Sequence, residues 1–76
     1  MNDFDQLLDA SGLSCPLPLL KAKQALNKMV AGQVLKVIAT DSGSVRDFNA
    51  FTDIAGHQML SADEIDGKYL YLIRKK

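Results

Sequence analysis

Gly32-Gln33-Val34-Leu35-Lys36-Val37-Ile38-Ala39-Thr40-Asp41-Ser42-Gly43-Ser44-Val45-Arg46-Asp47 is the stretch that decides the fold. Val34 to Ala39 is almost wholly apolar and rich in β-branched residues, as expected of a central strand. Asp41-Ser42-Gly43 reads as a turn. Ser44-Val45-Arg46-Asp47 resembles a capping box with Asp in place of the usual Glu, and so predicts a helix opening there. That helix carries Val45, Phe48, Phe51 or Thr52, and Ala55 on one side, and Gly56 ends it.

The elements on either side fall into place around this strand and helix. Upstream, the spacing of Leu19, Ala22, Leu26, Met29 and Val30 predicts a first helix from Pro16 to about Ala31, with Lys21, Gln24 and Lys28 on its wet face and Gly32 as its stop. Before it, Phe4 to Ala10 alternates with Phe4, Leu8 and Ala10 on one face, which predicts a half-buried strand. Downstream, His57 to Ile65 and Tyr69 to Arg74 read as two strands joined at Asp66-Gly67, a strong hairpin signal. The order β-α-β-α-β-β predicts an α/β fold, a two-layer α/β sandwich in which a mixed four-stranded sheet carries both helices on one face. Leu35, Val37 and Ala39 are expected to face the helices, with Leu70 and Leu72 beside them. Alternation then sends Val34, Ile38, Tyr69, Tyr71 and Ile73, with Lys36, to the open face. Such an apolar face fits two readings equally: a partner interface or weak self-association of an otherwise monomeric chain, or aromatic rings and Lys36 that pack on one another and need no partner.

Composition bounds the function. Seventy-six residues make a single domain, residues 1–76, with a small core and no room for a deep active site. Nine basic and nine acidic side chains cancel, which argues against direct binding of nucleic acid. One cysteine, Cys15, excludes an intrachain disulfide and points to a reducing, cytoplasmic setting. The acidic N-terminus has no signal-peptide character, and no apolar run approaches the roughly 20 residues of a membrane span.

Cys15 stands directly before Pro16, at the expected N-cap of the first helix. Pro16 and Pro18 stiffen the first turn at little cost, because amides there lack intrahelical partners anyway. The Leu17 N–H is then the natural donor to the Cys15 sulfur, since Pro18 has none. The positive end of the helix dipole favours a thiolate and lowers its pKa. Lys21, one turn further on, favours a sulfur anion or an acidic partner. A free cysteine is also commonly a small buried filler, but no apolar period runs through Cys15. His57, the only histidine, reads as a strand-edge or capping residue, and one Cys with one His does not make a zinc site. No metal or organic cofactor is called for. Asp47 is explained as a cap, whereas Arg46 opposes the helix dipole and is either a docking residue or a solvated charge.

Gly12-Leu13-Ser14-Cys15-Pro16-Leu17-Pro18, with the strand before it and the lysine-bearing helix after it, resembles the C-P-x-P signature of the TusA (SirA-like) sulfur-carrier family. The resemblance extends through Gly32, the Asp41 turn, Gly56-His57 and the stretch from Asp66-Gly67-Lys68 to Ile73-Arg74-Lys75. It implies that a sulfane sulfur is accepted as a persulfide on Cys15, with Pro16, Leu17, Pro18 and Lys21 in support. It implies a cysteine desulfurase or other persulfide donor and a downstream sulfur-acceptor protein. In the best-known case the sulfur goes toward tRNA 2-thiouridine. Arg46-Asp47 is similar to the pair at the start of the second helix of tRNA-thiolation carriers, where that helix docks partners. Ser42-Gly43 replaces a frequent proline after the Asp, and Phe51 stands near a frequent tryptophan. Sulfur oxidation, molybdenum-cofactor supply and selenium metabolism therefore stay open as destinations. Two functions of other classes also fit these residues: a non-catalytic protein-binding or regulatory module, and a thiol redox sensor.

Overall fold

The structure, a computed structural model, describes residues 4–14 and 16–76. The elements are β1 (Gln6–Ala10), α1 (Leu17–Asn27), β2 (Val34–Ala39), α2 (Ser44–Ala55), β3 (Gln58–Ile65) and β4 (Lys68–Arg74). The strands form one mixed sheet in the order β1-β2-β4-β3. β2 runs parallel to β1 and antiparallel to β4, and β3 closes the far edge antiparallel to β4. One core holds Ala22 and Leu26 of α1, Phe48 of α2, and Leu35, Val37, Tyr71 and Ile73 of the central strands. Both helices therefore pack on the same face, and the two-layer sandwich expected from the sequence is the fold observed.

Each boundary has a local cause. Asp66 and Gly67 both take positive φ, 51° and 77°, as the tight hairpin between β3 and β4 requires. Gly56, at φ 80°, ends α2 and gives its N–H to the Thr52 carbonyl. α1 stops at Asn27, four residues short of the expected Ala31. The Val30 N–H, which a continuing helix would send back to Leu26, goes instead to Gln33 Oε1 at 3.0 Å. The Leu26 carbonyl receives Lys75 Nζ at 2.7 Å. The C-terminal tail thus terminates the helix, and Val30 is left exposed rather than on the apolar face. Phe4 also departs from expectation. It precedes β1, and its ring lies 5.3 Å from Lys36 Nζ, whose side chain is on the helix-free face.

The largest correction concerns β4. Antiparallel register pairs Leu35 with Ile73, Val37 with Tyr71 and Ala39 with Tyr69. Tyr69, Tyr71 and Ile73 therefore face the helices, and Leu70 and Leu72 lie on the open face with Val34, Lys36 and Ile38. The strand is apolar on both sides, so its own pattern does not choose a face. Tyr71 is buried in the core, where its ring stacks on Phe48 with centroids 4.7 Å apart, and its hydroxyl meets Ser44 Oγ at 2.7 Å. A buried tyrosine needs such a hydroxyl partner. Burial pushes the Tyr71 phenol upward, and the hydrogen bond with Ser44 partly offsets it.

The same contact removes the expected capping box. Gly43, not Ser44, holds the N-cap position, and the Ser44 hydroxyl is turned inward. Asp41 organises the turn instead, its carboxylate accepting the Gly43 N–H at 3.1 Å and its carbonyl the Ser44 N–H at 3.1 Å.

Two outcomes are expected. Tyr71→Phe, which strands a buried Ser44 hydroxyl, should cost about 1–3 kcal/mol in urea unfolding, and adding Ser44→Ala should recover part of the loss. His57 accepts the Lys76 N–H on Nδ1 at 3.0 Å, and its pKa is lowered by desolvation, with Lys75 and Lys76 adding to the effect. The unfolded chain therefore takes up this proton more readily than the folded one. The contribution of His57 is complete above pH ~6.5 and lost as pH falls below it. His57→Leu should flatten the dependence of stability on pH below about 6.5.

Candidate functional site

β1 and β2 end together, because Ala10 is the register partner of Ala39. The loops that follow parallel strands emerge side by side at this end, where open α/β sheets place their ligands. Ser11 to Ser14 lead from β1, and Thr40 to Gly43 lead from β2. Hydrogen bonds fix the first loop along its length. Asp9 Oδ1 accepts the Ser11 N–H at 3.0 Å, and hydrogen bonding from Ser11 holds the Asp9 carboxyl below its usual pKa. Thr40 Oγ1 accepts the Gly12 N–H at 2.9 Å. The Ala10 carbonyl accepts the Leu13 N–H at 3.2 Å.

Cys15, the residue on which the sequence reading turns, lies outside the described residues, as do residues 1–3. Its neighbours are placed. The Leu17 N–H goes to the Ser14 carbonyl at 2.9 Å, a tight turn that uses the donor expected for the Cys15 sulfur. The α-helical ladder begins with the Leu20 N–H on the Pro16 carbonyl at 3.1 Å. The N-cap position thus falls to Pro16, one residue later than expected for Cys15, and the prolines occupy N-cap and N2. Pro16 and Leu17 are exposed and Pro18 is buried. Lys21 is exposed on the next turn.

The structure brings some of the expected residues together and separates others. Pro18 and Leu19 of α1 meet Asp41, Ser44, Asp47 and Phe48 across a crevice too tight for water. Asp47, half-buried, therefore belongs to the same end of the molecule as the C-P-x-P segment. Arg46 points elsewhere. It is exposed and lines an open groove with Asn49, Asp53, His57 and Met59, on the other flank of α2. His57 follows the C-terminus of α2. Twelve residues of helix, about 18 Å, separate it from the crevice at the N-terminus of α2. A shallow groove between the helices, lined by Leu19, Lys23, Asp47, Ala50, Phe51 and Ile54, runs from the same end, with Lys23 Nζ 5.5 Å from the Phe51 ring. Leu17 and Leu20 are also exposed on α1. Neither Lys23 nor the exposed leucines of α1 stood out in the sequence. The signal available was apolar residues on the predicted wet face of α1. Among the described residues, no helix is long and apolar enough to cross a membrane.

Comparison with known proteins agrees with this geometry. The family described as Sulfurtransferase TusA matches residues 6–75. A sulfur carrier protein TusA of Allochromatium vinosum is 59% identical over 75 residues, covering 99% of both chains. A sulfur carrier protein TusA of Pseudomonas putida is 46% identical over 78 residues, covering all of this chain and 98% of the other. The crystal structure of a SirA-like protein from Desulfitobacterium hafniense superimposes with a TM-score of 0.83 at 29% identity, over 92% of this chain and 96% of that one. With the family matched over residues 6–75 and a relative 59% identical over 99% of both chains, this chain belongs to the TusA family of sulfur carriers.

Proposed function

We propose that the chain takes up sulfane sulfur as a persulfide on Cys15 and hands it to a thiol of an acceptor protein. The observation that carries this reading is arithmetic. A protein holds sulfane sulfur on a cysteine, and this member of a sulfur-carrier family has one cysteine. In the loading step the Cys15 thiolate attacks the outer sulfur of a donor persulfide. The donor S–S bond breaks, the donor cysteine leaves as a thiolate, and the new S–S bond is on Cys15. In the unloading step an acceptor thiolate attacks the outer sulfur and Cys15 leaves as a thiolate. Each step exchanges one S–S bond for another, so no external oxidant or reductant is consumed. The chain acts as a relay rather than a self-contained enzyme.

Pro16, Leu17 and Pro18 support the reading by holding a stiff, partly exposed turn beside Cys15, at the end of a helix whose dipole favours an anion. Lys21 adds a positive charge one turn further on. The donor we propose is a cysteine desulfurase or a comparable persulfide protein in the cytoplasm. The acceptor pathway we propose is the one toward 2-thiouridine at the tRNA wobble position, with Arg46 and Asp47 engaging partners from two sides of α2.

Cys15→Ser should abolish the one-sulfur mass increase seen after incubation with a cysteine desulfurase and cysteine, while the fold survives; loading of that variant would refute the assignment. Alkylation of the unaltered protein by iodoacetamide should show an inflection below about pH 8.5, the value of a free cysteine. Arg46→Glu should weaken binding to the desulfurase severalfold at low salt, less at high salt, with the melting temperature unchanged. Equal affinity at both salt concentrations would reduce Arg46 to a solvated charge.

A further inference from the structure

The turn after β2 carries a hydroxyl that the sulfur chemistry leaves unassigned. Thr40 is exposed at the end of the strand, yet its Oγ1 accepts the Gly12 N–H at 2.9 Å across 28 residues of sequence. The bond exists because Ala10 and Ala39 end paired strands side by side. Gly12 takes φ 80°, a left-handed conformation that glycine adopts without strain.

Both sides of the bond are tied down. Next to Thr40, Asp41 holds the Gly43 and Ser44 N–H groups, and Ser44 is anchored in the core through the Tyr71 hydroxyl. Next to Gly12, the Leu13 N–H is held by Ala10 and the Leu17 N–H by Ser14. The side-chain tether of the Ser11–Ser14 loop to the neighbouring loop, among the described contacts, is Thr40.

We infer that Thr40 is a positioning residue for sulfur transfer: its hydroxyl latches the loop leading to Cys15 onto the turn between β2 and α2. The loop that precedes Cys15 and the turn that precedes α2 then meet a protein donor as a joined pair. This inference rests on the reading of Cys15 as the sulfur-bearing residue. A tethered loop has less conformational freedom to lose on docking, so the latch acts on transfer from a protein and not on the reactivity of the thiol.

Thr40→Val keeps the shape and removes the acceptor; Thr40→Ser keeps the acceptor. Loading is measured from inorganic polysulfide, which needs no docked protein, and from a cysteine desulfurase supplied with cysteine. In Thr40→Val, polysulfide loading should match the parent and the melting temperature should stay within about 5 °C. The kcat/KM for loading from the desulfurase should fall about fivefold, the effect of one hydrogen bond. Exchange of the Gly12 amide hydrogen should quicken, and Thr40→Ser should restore both quantities. Parental transfer, parental Gly12 exchange, or equal impairment of the Ser and Val variants would overturn the latch. So would a polysulfide rate that falls in step with the desulfurase rate, or a melting temperature lower by more than about 5 °C, since Thr40 would then be a stability element. Cys15→Ser is run alongside. If it loads, the reading of Cys15 fails; if it is inert while Thr40→Val behaves as the parent, the latch alone fails.

Discussion

Two hydroxyls meeting in the core, Ser44 Oγ and Tyr71 OH at 2.7 Å, hold the rest of the molecule in register. A tyrosine in the middle of a small core is costly unless its hydroxyl is paired, and one partner is within reach. That partner sits on the first turn of α2. Satisfying it fixes which face of β4 points to the helices, how far α2 slides along the sheet, and which residue starts the helix. Phe48 completes the arrangement by stacking on the Tyr71 ring one turn further along α2.

The consequences reach the functional end. With Ser44 committed to the core, the turn before it is organised by Asp41, and Thr40 is held at the tip of β2. The parallel pairing of β1 with β2 brings the loop that precedes Cys15 against this fixed turn. The crevice between Pro18 and Asp47 and the apolar groove between the helices open from the same end. A carrier whose sulfur must be reached by two successive partners benefits from this layout. The loop that leads to the proposed sulfur-bearing residue leaves the end of the sheet, beside the N-termini of both helices.

The other end is closed by the tail. Lys75 continues the ladder beyond β4, its N–H on the Gln33 carbonyl and its carbonyl on the Gly32 N–H, while its ammonium caps α1. A chain this short has few residues to spare, and the last two of them terminate one helix and tether His57.

Much of this was legible from residues. The β-branched run Val34 to Ala39, the apolar period of Ala22, Leu26 and Met29, and the Asp66-Gly67 turn each carry a local physical preference that tertiary contacts did not overrule. Together they define the element order, the sandwich and the single core. The C-P-x-P segment was legible in the same way, since a cysteine followed by two closely spaced prolines at a helix start is a local pattern. Where local preferences tied, the sequence was silent. Tyr69 to Ile73 is apolar on both faces, so its orientation waited for a partner strand and for Ser44. Val30 could have continued α1 until Gln33 and Lys75, distant or downstream, took its bonding partners. Arg46 and Asp47 are adjacent in the chain, but a helix turns about 100° per residue and sends them to different grooves. The sequence by itself determined the elements and their order, because both follow from short-range chemistry. The facing of β4, the start of each helix and the meeting of Gly12 with Thr40 were decided only in the tertiary structure, because each depends on pairing groups far apart in the chain.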